Sequence, residues 1–169
     1  VYEEHDSELM RRQEETFWAA RITDAIENDR LRLFAQPIVS LKKKDISANE
    51  TQFDHVEILV RLLDDDGQLI RPNAFVPAAE RYNLMNLIDR KIILETLSFI
   101  NDNDEFDENH THYSINLSGN SISDKDFTRH ITEQAERFDI STRRICFEIT
   151  ETAAIKNLPH AKAMIKELK

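Results

Sequence analysis

The sequence predicts an α/β fold with about four strands joined by crossover helices. From residue 55 onward, short apolar runs typical of strands alternate with segments of helical periodicity, and this alternation favours parallel strands. The 169 residues are 40% hydrophobic, which suits one globular domain or a piece of a larger one. Two glycines and four prolines are too few for a low-complexity or collagen-like chain.

The N-terminal part is predicted to form a helix and then a strand. Residues 6–28 are expected to be helical, with Asp6 or Ser7 as the cap, because apolar side chains recur at helical spacing. These side chains are Phe17, Trp18, Ile22, Ala25 and Ile26. The run 31–39 is predicted to be a strand, and Pro37 places it at a sheet edge, a bulge or a strand end. The polar stretch 42–54 is expected to be a loop.

Three further strands are predicted at 55–63, 113–117 and 144–149, with a turn at 64–67 after the first of them. Cys146, inside the last apolar run, is expected to be a small buried side chain.

The intervening segments are predicted to be helices. A long helix near 85–101 is expected to bury most of its apolar side chains. These are Leu87, Ile88, Ile92, Leu94, Leu97 and Ile100. Another helix, capped by Ser123 or Asp124, is expected to reach Phe138, and Pro159 is expected to open the last one.

The charge balance excludes one class of partner. Acidic residues outnumber basic ones by 32 to 22, giving a net charge of −10 at pH 7. A surface so acidic repels a phosphate backbone, so general DNA or RNA binding is not expected. A small anionic nucleotide held through a divalent metal remains compatible with this charge, because acidic side chains bind the metal and the metal binds the phosphate.

Cysteine content and hydropathy indicate a compartment. The single cysteine cannot form an internal disulfide, which favours a reducing environment. No apolar run approaches the ~20 residues that span a bilayer. We therefore expect a cytoplasmic location, while an upstream region could anchor the parent protein to a membrane.

Three polar residues lie inside otherwise apolar strand segments: Glu57, Asn116 and Glu148. In βα-barrels, reactive groups cluster at the carboxyl ends of strands, because the following loops converge on one face. Two carboxylates and an amide oxygen are hard donors suited to Mg²⁺ or Mn²⁺. For any single residue, a local hydrogen bond or ion pair is the commoner role. Three such residues in successive strands favour a shared site.

Five motifs, in order, resemble those of EAL domains, the family that hydrolyses the bacterial messenger cyclic di-GMP. Residues 34–39 (FAQPIV) resemble the family's opening strand, and residues 57–62 (EILVRL) resemble its signature "EALLRW". Residues 72–80 (PNAFVPAAE), 114–118 (SINLS) and 147–151 (FEITE) are similar to the motifs that follow. Each motif is weak by itself, whereas the ordered set is specific.

The resemblance implies a partial TIM-barrel-like (β/α) fold and a metal-dependent phosphodiesterase site. It implies that Glu57, Asn116 and Glu148 bind Mg²⁺ or Mn²⁺, that Arg61 pairs with a ligand phosphate and that Gln36 faces a guanine edge. Residues 31–169 are expected to be the N-terminal half of the EAL domain. Residues 1–30 are expected to be a linker helix from an upstream GGDEF or sensory domain.

Departures from the family pattern keep a second interpretation open. Ile58 stands where the signature has alanine and adds volume beside a proposed ligand, and Leu62 replaces the usual tryptophan. The family's later acidic, lysine and glutamine groups are not in the chain, so no complete catalytic set is expected, and both an enzyme and a non-catalytic module are considered. The alternative is a degenerate EAL module that acts as a cyclic di-GMP receptor or in assembly. An open sheet edge predicts a homodimer or swapped assembly.

Overall fold

The computed structural model describes residues 16–39, 53–103 and 111–168. The predicted cap at Asp6 or Ser7, the first part of the N-terminal helix and most of the loop predicted at 42–54 lie outside these ranges. Within the ranges, no helix has both the length and the apolar character that a bilayer crossing demands.

Helices and strands alternate along the chain, mostly as predicted. Their bounds are α1 (16–27), β1 (Leu31–Pro37), β2 (His55–Leu63), β3 (Leu69–Ile70), α2 (Pro72–Arg81), α3 (Met85–Asn103), β4 (His112–Leu117), α4 (Gly119–Ser123), α5 (Phe127–Arg137), β5 (Ile145–Ile149), α6 (Glu151–Lys156) and α7 (Leu158–Glu167). A single 3-10 turn, Thr142–Arg144, precedes β5.

The strands form one sheet in the order β1-β2-β4-β5, with β3 paired to β2. β1 and β3 run antiparallel to β2, whereas β2, β4 and β5 are parallel to one another. The parallel pairs are joined through helices, which confirms the predicted crossover pattern. Pro37 is the last residue of β1, an edge strand of this sheet, where its missing N–H costs no ladder bond.

The sheet has two chemically different faces. One face, called here the helix-covered face, packs on α2 and α3 and carries buried side chains. These include Val56, Ile58, Leu62, Tyr113, Ile115 and Leu117. The alternate residues point to the opposite face, called here the polar face. Burial therefore fixes which residues of each strand stay available to a ligand.

The predicted turn after β2 forms a tight hairpin to the additional strand β3. Asp64 Oδ1 accepts hydrogen bonds from the backbone N–H groups of Asp66 and Gln68, at 3.0 and 2.7 Å. Gly67 has φ +77°, a conformation that side chains with a Cβ rarely adopt. Two-residue strands carry almost no sequence pattern, so β3 was not predicted.

The long helix α3 buries most of the apolar side chains predicted to be buried, with Leu87 as the exception. Leu87 is 48% exposed, whereas Asp89 is 1% exposed. The packed face passes through four of the six predicted residues, Ile88, Ile92, Leu97 and Ile100, and through Asp89. The prediction for Leu87 was wrong because apolar character alone does not show which face of a helix a residue lies on. The burial of Asp89 was missed because hydropathy does not distinguish a buried carboxylate from an exposed one.

Two predictions about the C-terminal part need correction. The helix expected to be capped by Ser123 or Asp124 and to reach Phe138 begins a few residues later, because α5 runs from Phe127 to Arg137 with Asp126 as its N-cap, while Ser123 ends the short preceding helix α4. Asp124 stabilises the intervening turn, since its Oδ1 accepts from the backbone N–H of Asp126 at 2.9 Å. Cys146 is exposed, not buried, because it lies on the polar face of β5.

Candidate metal centre

Strand register brings the predicted site residues onto one face. Gln36 pairs directly with Glu57 in the antiparallel ladder, and Asn116 pairs directly with Glu148 in the parallel one. Ser114 pairs with Glu57, so Asn116, two residues later, shares the face of Glu57. All four predicted polar residues therefore lie on the polar face, in three neighbouring parallel strands and the antiparallel edge strand.

A hydrogen bond joins two of the predicted ligands. Asn116 Nδ2 donates to Glu57 Oε1 at 2.7 Å. The bond uses the amide donor of Asn116 and one carboxylate oxygen of Glu57. Among the described residues, no side chain competes for Asn116 Oδ1 or for the Glu148 carboxylate. Oxygen lone pairs of three side chains are thus free on one surface.

The three residues do not all lie at carboxyl ends of strands. Asn116 and Glu148 each precede the last residue of their strand, as expected. Glu57 is the third residue of the nine in β2, and the ladder to β4 covers only residues 55–58 of that strand. β2 continues to Leu63 because β1 and β3 keep pairing with it. The relevant end is therefore where β2 leaves β4, and Glu57 lies at that point.

The two predicted ligand-binding residues differ in how they are held. Gln36 is exposed next to Glu57 at the edge strand. Arg61 lies four residues beyond Glu57 on the same face, and its guanidinium donates to the backbone oxygen of Val60 at 2.7 Å. The same guanidinium lies 5.8 Å from the ring centroid of Phe34. Arg61 is thus held over an aromatic ring and by its own strand's backbone.

A buried carboxylate, which no sequence pattern indicated, supports this region. Asp89 Oδ2 accepts hydrogen bonds from Ser118 N–H at 3.0 Å and from Ser121 Oγ at 2.6 Å. Asp89 Oδ1 has no partner among the described residues. Burial raises the pKa of Asp89 above its usual range, against the opposing effect of the two serine bonds.

A second polar contact on the polar face was also missed. His55 Nε2 and Ser114 Oγ lie 2.8 Å apart, at hydrogen-bonding distance. His55 precedes Glu57 by two residues, and Ser114 is the register partner of Glu57. Ser114 is completely buried, so this contact fixes the strand pair beneath the carboxylate. Alternation of residues on the strand is the only sequence signal that could have indicated it.

The donor set fits a hard divalent cation. Glu57, Asn116 and Glu148 offer oxygen atoms alone, and Mg²⁺ and Mn²⁺ prefer oxygen ligands. In the described part of the chain, no group of three or more His, Cys, Asp or Glu side chains forms a metal cluster. The proposed ligand set contains only two carboxylates, because its third member is the amide of Asn116, so it does not count as such a group. Water and a ligand phosphate would have to complete the coordination sphere.

Comparison with protein families identifies the fold to which these strands belong. The profile described as "EAL domain" matches residues 19–169. The chain belongs to the EAL domain family. Its family membership confirms the resemblance that the five ordered motifs indicated.

Relatives of this EAL domain carry consistent names. "Cyclic di-GMP phosphodiesterase PdeB" of Shewanella oneidensis is 35% identical over 169 residues, which are 100% of this chain and 19% of that protein. The FimX EAL domain of Pseudomonas aeruginosa bound to c-di-GMP is 26% identical, with a TM-score of 0.76, and the match covers 89% of this chain and 57% of that one. The Xanthomonas citri FimX EAL domain in complex with c-diGMP has a TM-score of 0.78 at 21% identity, over 94% of this chain and 58% of that one. This EAL domain therefore spans less than two thirds of each.

The two departures from the family signature do not disturb the polar face. Ile58 is 8% exposed and Leu62 is completely buried, both on the helix-covered face. Their pleat positions alternate with those of Glu57 and Arg61. The extra volume of Ile58 is therefore in the core, and the expectation that it lies beside the proposed ligand is wrong.

Proposed function

We propose that this EAL domain supplies metal and nucleotide ligands to a cyclic di-GMP-specific phosphodiesterase that yields the linear dinucleotide. The observation that supports this most directly is the convergence of Glu57, Asn116 and Glu148 on one face, with Asn116 bonded to Glu57 at 2.7 Å. Family membership and the name of PdeB add support, since both concern the same chemistry.

Each residue of the proposed site has a role that follows from its position. Glu57, Asn116 and Glu148 would hold Mg²⁺ or Mn²⁺ through oxygen atoms. The hydrogen bond from the Asn116 amide nitrogen to Glu57 orients the Asn116 side chain and leaves its amide oxygen free. A divalent cation held there supplies Lewis-acid stabilisation of charge on a phosphoryl oxygen. Arg61 would give up its bond to the Val60 carbonyl for a bidentate pair with a phosphate.

Gln36 would contribute to nucleobase recognition. It is exposed and lies directly opposite Glu57, at the edge of the polar face. A carboxamide presents one acceptor and two donors, which can pair with the acceptor and donor atoms of a guanine edge. The phosphate-binding and base-binding groups would thus lie on either side of the cation ligands.

The test is hydrolysis of cyclic di-GMP by the natural full-length protein with Mg²⁺ or Mn²⁺. Glu57→Gln should reduce turnover on the order of a hundredfold or more. Removing a residue that only hydrogen-bonds to a metal ligand already reduces activity by about 10- to 100-fold, and loss of a charged ligand itself has a larger effect. Glu136→Gln is the matched control, since this exposed glutamate lies in α5, outside the five motifs and the proposed site. Equal turnover by wild type and Glu57→Gln would contradict the proposal.

The receptor alternative gives a different result in the same experiment. A binding module would retain cyclic di-GMP by calorimetry, would release no linear product and would be insensitive to Glu57→Gln. Titrating wild type and the variant with the nucleotide, with and without Mn²⁺, separates binding from turnover.

The remaining assignments stay predictions. They are the division at residues 30 and 31, the upstream GGDEF or sensory domain and the cytoplasmic location.

A further inference from the structure

We propose that Asp89 is a positioning residue that fixes Asn116 from behind the sheet through the turn between β4 and α4. The inference rests on the function proposed above, because it assigns Asp89 a role in presenting one of its metal ligands. Asp89 belongs to α3 and lies on the helix-covered side, so it acts through the backbone and not through contact with the cation.

Ladder pairing explains why Asn116 needs such support. The pairing of β4 with β2 ends at Ile115, one residue before Asn116. On that side, among the described residues, the hydrogen bond between the Asn116 and Glu57 side chains is the one contact that continues past the ladder. The backbone after Ile115 is paired with β5 alone, which is an edge strand in the described sheet. A tether from another element would therefore restrict the position of Asn116.

Asp89 provides that tether at the next available backbone donor. Ser118, two residues after Asn116, is the N-cap of α4, and its N–H donates to Asp89 Oδ2 at 3.0 Å. The same oxygen accepts from Ser121 Oγ at 2.6 Å, while Ser118 Oγ accepts from Ser121 N–H at 3.2 Å. One carboxylate thus joins α3 to both ends of the first turn of α4.

Burial makes the tether costly to lose. Asp89 is 1% exposed and Ser121 is fully buried, so water cannot easily replace either partner. Asp89 and Ser118 also line a cavity of about 260 Å³ that Asn116 and Arg61 border. Removing the carboxylate would enlarge this cavity and leave the Ser118 N–H without its acceptor. We expect the end of β4 to shift toward the space created.

The experiment measures Mn²⁺ affinity of the natural protein by electron paramagnetic resonance titration, together with cyclic di-GMP turnover. Asp89→Ala should weaken Mn²⁺ binding by about ten- to a hundredfold, the usual loss when a residue that orients a ligand is removed. Asp89→Asn should keep most of the affinity, because its amide oxygen can accept both serine bonds. If Asp89→Ala does not fold, Ser121→Ala should still weaken binding, by a smaller factor.

Ile100→Ala is the control for general destabilisation. Ile100 is 1% exposed in the same helix, eleven residues and about 16 Å further along it. The positioning role is overturned if Asp89→Ala binds Mn²⁺ like wild type, or if Ile100→Ala weakens binding equally. Wild-type protein that binds no Mn²⁺ overturns this role and the metal site together. Failure of hydrolysis with the expected Mn²⁺ affinities contradicts only the proposed enzyme and supports the role of Asp89.

Discussion

Asn116 donates a hydrogen bond to Glu57 across 59 positions of sequence, at 2.7 Å, where β4 stops pairing with β2. Because the two residues lie on neighbouring strands, sheet register sets the distance between these two proposed metal ligands. The bond also determines what happens when charge at this point is changed.

Asn116→Asp should lower stability without metal and increase the stabilisation that Mn²⁺ gives. The new carboxylate faces Glu57 at hydrogen-bonding range, so a favourable bond becomes like-charge repulsion until a cation neutralises it. Melting temperatures with and without Mn²⁺ measure both effects. Asn73→Asp, at an exposed position in the first turn of α2, is the control: it should neither lower stability without metal nor change the Mn²⁺ response. A Mn²⁺ response no larger than that of wild type would contradict a cation site at Asn116.

Asp89→Asn should remove a pH dependence of stability. Burial raises the pKa of Asp89 above the ordinary value of 3.8, so the folded state binds the proton more tightly than the unfolded state. Between those two pKa values, unfolding releases a proton, and stability falls as pH rises. Below the unfolded-state pKa the cost is absent, and above the folded-state pKa it is constant.

Urea unfolding at a series of pH values tests this directly. The free energy of unfolding of wild type, minus that of Asp89→Asn, should decline with pH inside the window, by at most about 1.4 kcal/mol per pH unit. A difference that rises with pH would mean that the serine bonds outweigh burial in setting the pKa.

Phe75→Ala should destabilise the protein by about 3–5 kcal/mol, because a fully buried ring in α2 is replaced by a cavity. Phe99→Ala is the matched control. Phe99 is 55% exposed in α3, and its loss should change stability by no more than about 0.5 kcal/mol. Chemical denaturation measures both values, and equal losses would be inconsistent with the packing of α2 on β2.

The 169-residue chain, expressed by itself, is expected to self-associate. β1 is an edge strand in the described sheet, and Phe34, Ile38 and Val39 are each more than 40% exposed along it or just after it. Light scattering at micromolar concentration should give at least a dimer mass. Ile38→Lys should shift the population toward monomer, because a charge on an edge opposes pairing. A wild-type monomer at all concentrations would contradict the expectation.

Much of the architecture follows from sequence periodicity. Alternation of strand-like and helix-like segments predicts the parallel pairing of β2, β4 and β5, and Pro37 predicts an edge strand, a bulge or a strand end. These features depend on local chemistry, such as a missing N–H or the period of apolar residues. Such features are determined by residues that are close together in the sequence, so they can be predicted without the tertiary structure.

The sequence by itself determined which residues are candidates: Glu57, Asn116 and Glu148 are oxygen donors in apolar strands. Only the tertiary structure decided that they share the polar face, that Ile58 and Leu62 point away from it, and that Asp89 is buried behind Asn116. The physical reason is that register and helical phase arise from packing between distant segments. A shift of one residue in register moves every side chain of a strand to the opposite face.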